Sequence, residues 1–180
     1  MECLDKKLLL KNSFIAGGIL AAYFLLIYLS GLNYFSFAFI TFIIEASVVL
    51  SFMFITVSKI RKQTEEKKIK LKSAIFISII VMLIALFCFQ IMKLLILFVV
   101  DPEYNKICVK EVFVQTMQVI KEYPQYANNI GDPENIKNYL KLEQNLIPFA
   151  IFFIKSLIVG SLVGLVAKRK EKPEDSLTLQ

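Results

Sequence analysis

The sequence predicts an all-α integral membrane protein with four transmembrane helices. Of its 180 residues, 57% are hydrophobic, and the mean hydropathy is +0.63. Apolar runs of roughly 20 residues recur along the chain, which is the length a helix needs to cross a hydrocarbon core ~30 Å thick. Only helices or closed barrels satisfy every backbone group in lipid, and the alternating pattern of barrel strands does not occur.

The predicted spans lie at about 14–32, 35–57, 74–100 and 146–167. The first follows Lys6, Lys7 and Lys11, and a basic start before an apolar run is also typical of signal peptides. It ends in Tyr-Leu-Ser-Gly-Leu without a small-residue cleavage site, so we expect an uncleaved signal anchor. Because the second span follows at once, we expect an antiparallel hairpin in which Gly31 ends the first helix.

The third connection, residues 101–145, predicts an outer amphipathic helical segment. Asp101-Pro102-Glu103 supplies an N-cap, a proline at the first helical position and an acid in the first turn. Apolar residues from Ile107 to Ile120 recur at mostly helical spacing, and Tyr123-Pro124 ends the pattern. Asp132-Pro133-Glu134 repeats the start signal. We expect both helices to lie on the outer membrane face or to cap the bundle.

The basic residues are distributed unevenly, and this predicts the orientation. Three lie before the first span, seven between 59 and 72, four between 168 and 172, and five in residues 101–145. The positive-inside rule therefore places both termini in the cytoplasm and residues 101–145 outside. At the inner face, each cation attracts anionic headgroups by ~1 kcal/mol. We expect the lipid bilayer, and no nucleic acid, as the partner of these cations.

Three ionisable side chains lie inside the predicted spans: Glu45, Lys93 and Lys155. A charge in hydrocarbon costs at least ~2.5–3.5 kcal/mol, so such residues are usually paired or functional. Counted from the outer span ends at 1.5 Å per residue, all three lie roughly 12–15 Å deep. Gln90 and Tyr23 fall at about 13.5–16 Å on the same count. The sequence therefore predicts one polar layer to which each span contributes.

Three interpretations of this layer remain open. The charges pair and fix the helix register, with Gln90 and Tyr23 completing the hydrogen bonds. Alternatively, Lys93 or Lys155 extends along its apolar stem to the membrane surface. In the third, the layer binds a proton, an ion or an anionic group, because two lysines leave one cation without a matching carboxylate. A sealed layer favours a structural role, and a water-filled path to Glu45 favours transport.

Small residues predict where helices approach closely. Ser156, Gly160 and Gly164 are spaced four apart on the fourth span, and Gly17 and Ala21 form a shorter pair on the first. Such ridges bring transmembrane helices together. We interpret them as packing within one chain, with self-association as the alternative. The remaining partner candidates are thus a second copy of the chain or another membrane protein.

The residue types needed for common catalytic sites are missing. The chain has no histidine, so it has neither a histidine base nor a histidine metal ligand. Phosphate-binding loops, dinucleotide fingerprints, nucleophile elbows and C-x-x-C motifs are absent from the sequence. In the predicted topology, Cys3, Cys88 and Cys108 lie at different levels and cannot pair. We therefore expect no enzymatic activity, no cofactor and no metal.

Read from end to end, the pattern resembles a bacterial membrane-protein family known as domain of unknown function 4199. The likeness rests on the following motifs: Lys11 with Gly17-Gly18, Tyr28-Leu29-Ser30-Gly31-Leu32, a basic turn with Arg61, Val100-Asp101-Pro102-Glu103-Tyr104, Pro148, and Ser156…Gly160…Gly164 before Lys168-Arg169-Lys170. The resemblance implies four spans in a bacterial inner membrane of the Bacteroidota type. It implies no activity and no functional residues.

The function expected from these observations is that of a small inner-membrane protein acting as a non-enzymatic accessory or structural partner. The alternative is a small transporter or channel-like protein that uses the layer of Glu45, Lys93 and Lys155 to bind an ion, a proton or an anionic group.

Overall fold

The computed structural model describes residues 5–64, 69–124 and 141–167. These residues form five α-helices and one π-helical segment: α1 (Lys6–Leu29), α2 (Ala38–Gln63), α3 (Leu71–Leu95), the π segment (Ile96–Val100), α4 (Pro102–Glu122) and α5 (Leu142–Ala167). The three described ranges contain no strand. The all-helical prediction is confirmed.

Among the described residues, three helices are long and apolar enough to cross a membrane: Lys6–Leu29, Phe39–Gln63 and Leu71–Val100. They identify the chain as a membrane protein. The fourth predicted span corresponds to α5, which has 26 residues. The apolar part of α5, Ile154–Val166, is shorter than each of those three helices. The first helix begins and ends earlier than the predicted 14–32, and the second begins at Ala38 instead of Phe35.

The centre of the bundle is α3, which packs against α1, α2 and α5. Helix α2 also contacts α1 and α5. Helices α1 and α5 therefore each pack against both α2 and α3. The core between them consists of large apolar side chains, which include Leu20, Phe24, Met53, Val57, Ile77, Val81, Phe89 and Leu97.

The predicted small residues lie where helices approach most closely. A Cβ added at Gly164 would lie 2.7 Å from the Cα of Ile75, and one at Gly160 would lie 3.2 Å from the Cα of Ile79. Four residues forward on α5 thus correspond to four residues backward on α3, which is antiparallel packing. Ser156, in the same row, is buried.

Gly17 makes a similar approach on the opposite side of α3. A Cβ at this position would lie 2.7 Å from the Cβ of Cys88 and 3.3 Å from the Cα of Ala85. Ala21, one turn later on α1, is half-buried. The described glycine contacts therefore join helices of the same chain.

Gly31 ends α1 in the left-handed conformation, with a φ of 67°. Its N–H donates to the Tyr28 carbonyl at 3.0 Å, and the Leu32 N–H donates to the Ile27 carbonyl at 3.2 Å. This pair of bonds is a Schellman motif, in which glycine avoids the steric penalty of a positive φ. The predicted stop at Gly31 is confirmed, and the link to α2 extends to residue 37.

The outer helix α4 begins as the sequence predicts. The Asp101 carboxylate accepts a hydrogen bond of 3.0 Å from the Tyr104 N–H, and Pro102 occupies the first helical position. Its buried residues lie in its first half: Tyr104, Asn105, Cys108 and Val109. Of the predicted apolar pattern, Val109 is therefore buried, whereas Ile107, Val114 and Met117 are exposed. The second outer helix, predicted from Asp132-Pro133-Glu134, falls outside the described residues.

Candidate functional site

The predicted polar layer has its centre at Glu45 and Lys93, and the structure adds Tyr34 between them. The Lys93 ammonium lies 5.4 Å from the centre of the Tyr34 ring, in a cation–π arrangement. The Tyr34 hydroxyl donates to a Glu45 carboxylate oxygen at 3.5 Å, a long hydrogen bond. We call these three residues the polar trio.

Aromatic rings enclose the trio. Phe24 of α1 meets the Tyr34 ring edge-on at 4.9 Å, and Phe89 of α3 lies 6.4 Å from the same ring. Phe24 and Phe89 also contact each other edge-on at 6.1 Å, and both are buried. Lys93, whose ammonium lies over the Tyr34 ring, is itself only 9% exposed.

Glu45 and Lys93 interact without a direct ion pair in the described part of the chain. The carboxylate interacts electrostatically with Lys93 and, more weakly, with Lys155. Glu45 itself is half-buried. The Tyr34 ring and hydroxyl therefore connect a buried cation to a carboxylate that retains partial access to its surroundings.

The other two predicted layer residues, Gln90 and Tyr23, lie near this level. Gln90, one turn before Lys93 on α3, is buried. The Tyr23 hydroxyl shares a 3.3 Å hydrogen bond with the hydroxyl of Thr41, which is buried on α2. The sequence does not predict Thr41 as part of the polar layer, because a single threonine in an apolar run is common in helices.

Lys155 does not share the level of Lys93. The antiparallel register set by Gly160 against Ile79 places Lys155 beside residue 84 of α3. Lys93 lies nine residues farther along α3, which corresponds to roughly 13.5 Å between the two backbones. Lys155 is also exposed. Its ammonium nevertheless lies within electrostatic range of Glu45.

The trio is held from the outer side by the link that carries Tyr34. The Asn33 amide donates to the Cys108 carbonyl at 3.0 Å and to the Glu111 carboxylate at 2.8 Å. Its oxygen accepts from the Phe35 N–H at 2.9 Å, which forms a local turn around Tyr34. We call this set of bonds the Asn33 clasp. It connects the link to α4.

Two tyrosines strengthen the same contact. The Tyr104 hydroxyl donates to the Leu32 carbonyl at 2.6 Å, and the Tyr28 hydroxyl donates to the Asp101 carboxylate at 3.1 Å. Their rings meet edge-on at 5.0 Å. Burial raises the pKa of the Tyr104 hydroxyl and of the Cys108 thiol, so both groups stay protonated at neutral pH. The first half of α4 is thus anchored on the α1–α2 link.

A second polar contact, absent from the sequence prediction, lies near the opposite end of the bundle. The Asn12 amide donates to the Thr56 hydroxyl at 3.0 Å, and both residues are buried. Ser13 and Thr56 each donate to a backbone carbonyl one turn earlier in their own helices. Such a hydrogen bond between spans stabilises helix association in lipid by ~0.6–2 kcal/mol.

The chemistry available at the polar trio is limited to charge, hydrogen bonding and proton exchange. Within the described ranges, no group of three or more His, Cys, Asp or Glu residues is placed to hold a metal ion. Cys88 and Cys108 are both free thiols.

A family model described as "Protein of unknown function (DUF4199)" matches residues 11–167. No curated protein and no solved structure matches the chain. The matched region runs from the first half of α1 to the last residue of α5 and includes the polar trio, the Asn33 clasp and the close-packing glycines. The chain therefore belongs to the DUF4199 family of proteins of unknown function.

Proposed function

We propose that this chain is a four-span protein of the bacterial inner membrane with a non-enzymatic, structural or accessory role. In this proposal α5 is the fourth span, both termini are cytoplasmic, and the polar trio fixes the position of the helices. The three long apolar helices support a membrane protein, and membership of a family of unknown function leaves the role open.

The enclosure of Lys93 is the observation that carries the structural role. Its ammonium lies over Tyr34, the surrounding rings are Phe24 and Phe89, and the residue is 9% exposed. A lysine that binds and releases a substrate needs an open path, whereas a lysine that fixes the helix register needs only its partners. Buried polar contacts of this kind have a documented use in specifying register.

Cysteine accessibility tests this assignment. In a variant with Cys3, Cys88 and Cys108 replaced by Ala, we expect Lys93→Cys to resist a membrane-impermeant maleimide added from either side. Val100→Cys is the matched control, since Val100 is 66% exposed and lies at the end of the same apolar helix. Labelling of position 93 at a rate near that of position 100 would show a water path and overturn the structural role.

Topology is tested with the native Cys3. In a Cys88→Ala, Cys108→Ala variant, Cys3 and a cysteine introduced at Ser176 should react in inside-out vesicles and stay unlabelled in intact spheroplasts. Four spans require both positions on the same side. Labelling of positions 3 and 176 from opposite sides would exclude an even number of spans.

Transport of a proton or a small ion is the second candidate, and the partial exposure of Glu45 favours it. Among the described residues, the one hydrogen bond of this carboxylate is the long one from Tyr34, so the carboxylate retains capacity for another ligand. Flux measured in proteoliposomes decides between the two functions. The structural role predicts no proton or ion flux above that of protein-free vesicles, and a flux that Glu45→Gln abolishes would establish transport.

A further inference from the structure

Helix α5 has two opposite faces, and they differ in burial. Ser156, Gly160 and Gly164 lie on the buried face, where the two glycines pack against α3. The residues on the opposite face follow one another at spacings of four, three, four and three, and all are exposed: Ile151, Lys155, Ile158, Leu162 and Leu165. We call these five residues the exposed face of α5. Where α5 is the fourth span, this face meets the hydrocarbon.

Lys155 lies at middle depth on this face. The register of Gly160 against Ile79 places it beside residue 84 of α3, which is 13 residues from Leu71 and 16 from Val100. At 1.5 Å per residue, these separations are about 20 and 24 Å. The side chain therefore starts far from the headgroups of either leaflet. A charge at the centre of a bilayer destabilises a protein unless the charge is paired.

The four predicted spans contain one carboxylate for two lysines. This carboxylate, Glu45, interacts with Lys93 first and with Lys155 more weakly. It also accepts the hydrogen bond from Tyr34, whose ring carries the Lys93 ammonium. Within the described ranges, Lys155 makes no hydrogen bond and no ion pair. One positive charge therefore remains unpaired on the exposed face of α5, among the residues that the structure describes.

Neither a second copy of the chain nor a phospholipid matches this charge. Two copies in one membrane are related by an axis along the membrane normal, so their Lys155 residues would meet at the same depth and repel each other at low dielectric. A phospholipid carries its charge in the headgroup, about 15 Å from the centre of the bilayer. A transmembrane helix with a carboxylate at middle depth matches both the ammonium and the apolar side chains around it.

We propose that the exposed face of α5 binds a transmembrane helix of another membrane protein, with Lys155 paired to an Asp or Glu near the middle of that helix. The inference rests on the accessory role proposed above, with α5 as the fourth span. From Ile151 to Leu165 the face is about 21 Å long, which is most of the thickness of the hydrocarbon core. The charge provides specificity, because a partner without a carboxylate leaves the ammonium unpaired in lipid.

Disulfide formation with a model peptide tests the proposal. The protein has Cys3, Cys88 and Cys108 replaced by Ala and carries Ile158→Cys, one turn from Lys155. The peptide is a transmembrane helix of leucine and alanine with one central Glu and one Cys a turn away. In phosphatidylcholine vesicles, with copper phenanthroline as the oxidant, we expect about tenfold more disulfide with this peptide than with one that has Leu in place of the Glu.

Leu26→Cys is the matched control, because Leu26 is 63% exposed and Ile158 is 59% exposed, but Leu26 lies on α1. It should link to both peptides equally. Lys155→Met should remove the preference of Ile158→Cys, and Lys155→Glu should transfer this preference to a peptide with a central Lys. Equal linking of Ile158→Cys to the Glu and Leu peptides, or a preference that survives Lys155→Met, would overturn the proposal.

Two further results separate this inference from the assignments around it. Disulfide-linked dimers of Ile158→Cys in the absence of peptide would assign the face to a second copy of the chain and contradict a contact with another protein. Equal linking of both peptides while Lys93→Cys still resists maleimide would overturn the helix contact alone. Labelling of Lys93→Cys with the peptide preference retained would overturn the structural role of the polar trio and support the helix contact.

Discussion

The Lys93 ammonium lies 5.4 Å from the centre of the Tyr34 ring, and the Tyr34 hydroxyl is 3.5 Å from Glu45. A residue of a short interhelical link thus joins the two opposite charges of α2 and α3. Cation–π contacts contribute ~0.5–2 kcal/mol, the higher value applying where water is excluded. This relationship predicts how the two parts of the tyrosine contribute to stability.

Tyr34→Phe should leave the free energy of unfolding nearly unchanged, whereas Tyr34→Leu should lower it. Phenylalanine keeps the ring beneath Lys93 and the packing against Phe24, and removes only a long hydrogen bond worth less than ~1 kcal/mol. Leucine removes the cation–π contact and the edge-on ring contacts, and we expect a loss of about 2–4 kcal/mol in the free energy of unfolding. Unfolding in mixed micelles measures both. Equal losses would mean that the ring has no special role.

Substitution of Gly164 by alanine should destabilise the protein strongly. The new Cβ would lie 2.7 Å from the backbone of Ile75, so α5 and α3 must separate, at a cost of about 1–3 kcal/mol. Gly18→Ala is the control, since no atom lies within 4 Å of the added Cβ. That variant should be neutral or more stable by up to ~1 kcal/mol, because alanine favours a helix. Similar thermal midpoints for both variants would contradict the described register.

Removal of the Asn33 side chain should release α4 from the link. Asn33→Ala loses the bonds to the Cys108 carbonyl and the Glu111 carboxylate and the bond that the Asn33 oxygen accepts from the Phe35 N–H. We expect a loss of about 1–3 kcal/mol, together with faster hydrogen exchange at the start of α4. Ser36→Ala is the control, because its bond to Gln115 is exposed and 3.4 Å long. Unchanged exchange in Asn33→Ala would show that the clasp does not hold α4.

Acid should weaken the start of α1 through Asp5. Its carboxylate accepts from the Leu8 N–H at 2.9 Å and from the Gln63 amide at 3.2 Å, and these bonds hold the pKa of Asp5 below its ordinary value. A depressed pKa contributes stability that is present above the unfolded value, ~3.9, and is lost as the pH falls through the folded value. The difference in melting temperature between wild type and Asp5→Asn should therefore shrink below about pH 4. A constant difference from pH 7 to pH 3 would contradict this.

The presence of three long apolar helices, the Gly31 stop and the Asp101 cap could be predicted because each depends on local properties of the chain. Apolar length sets a span, a positive φ selects glycine, and a side-chain oxygen caps a free N–H within three residues. Tyr34 could not be placed in this way. Its position depends on the Asn33 clasp, and hence on α4, which lies more than 70 residues away in the sequence.

The depth of Lys155 in the bundle is a second property that could not be predicted from the sequence. Depth counted from Leu146 placed it beside Lys93, but α5 begins at Leu142, and its register on α3 is set by Gly160 and Gly164. The four additional residues at the start of α5 increase the depth counted for Lys155 by about 6 Å. A depth obtained by counting residues therefore depends on the true helix ends and on the packing register, which on α5 follows from the close contacts of Gly160 and Gly164.

A double-mutant cycle in the free energy of unfolding tests most directly whether Glu45 and Lys93 stabilise each other. Glu45→Gln and Lys93→Met should each cost about 1–3 kcal/mol, because each leaves one partly or fully buried charge without its counterpart. The double variant should recover at least ~1 kcal/mol of the summed loss. Glu103→Gln serves as the control, since the exposed Glu103–Lys106 pair should contribute less than ~1 kcal/mol. Losses that add within ~0.5 kcal/mol would show that the two charges are independent and contradict the account.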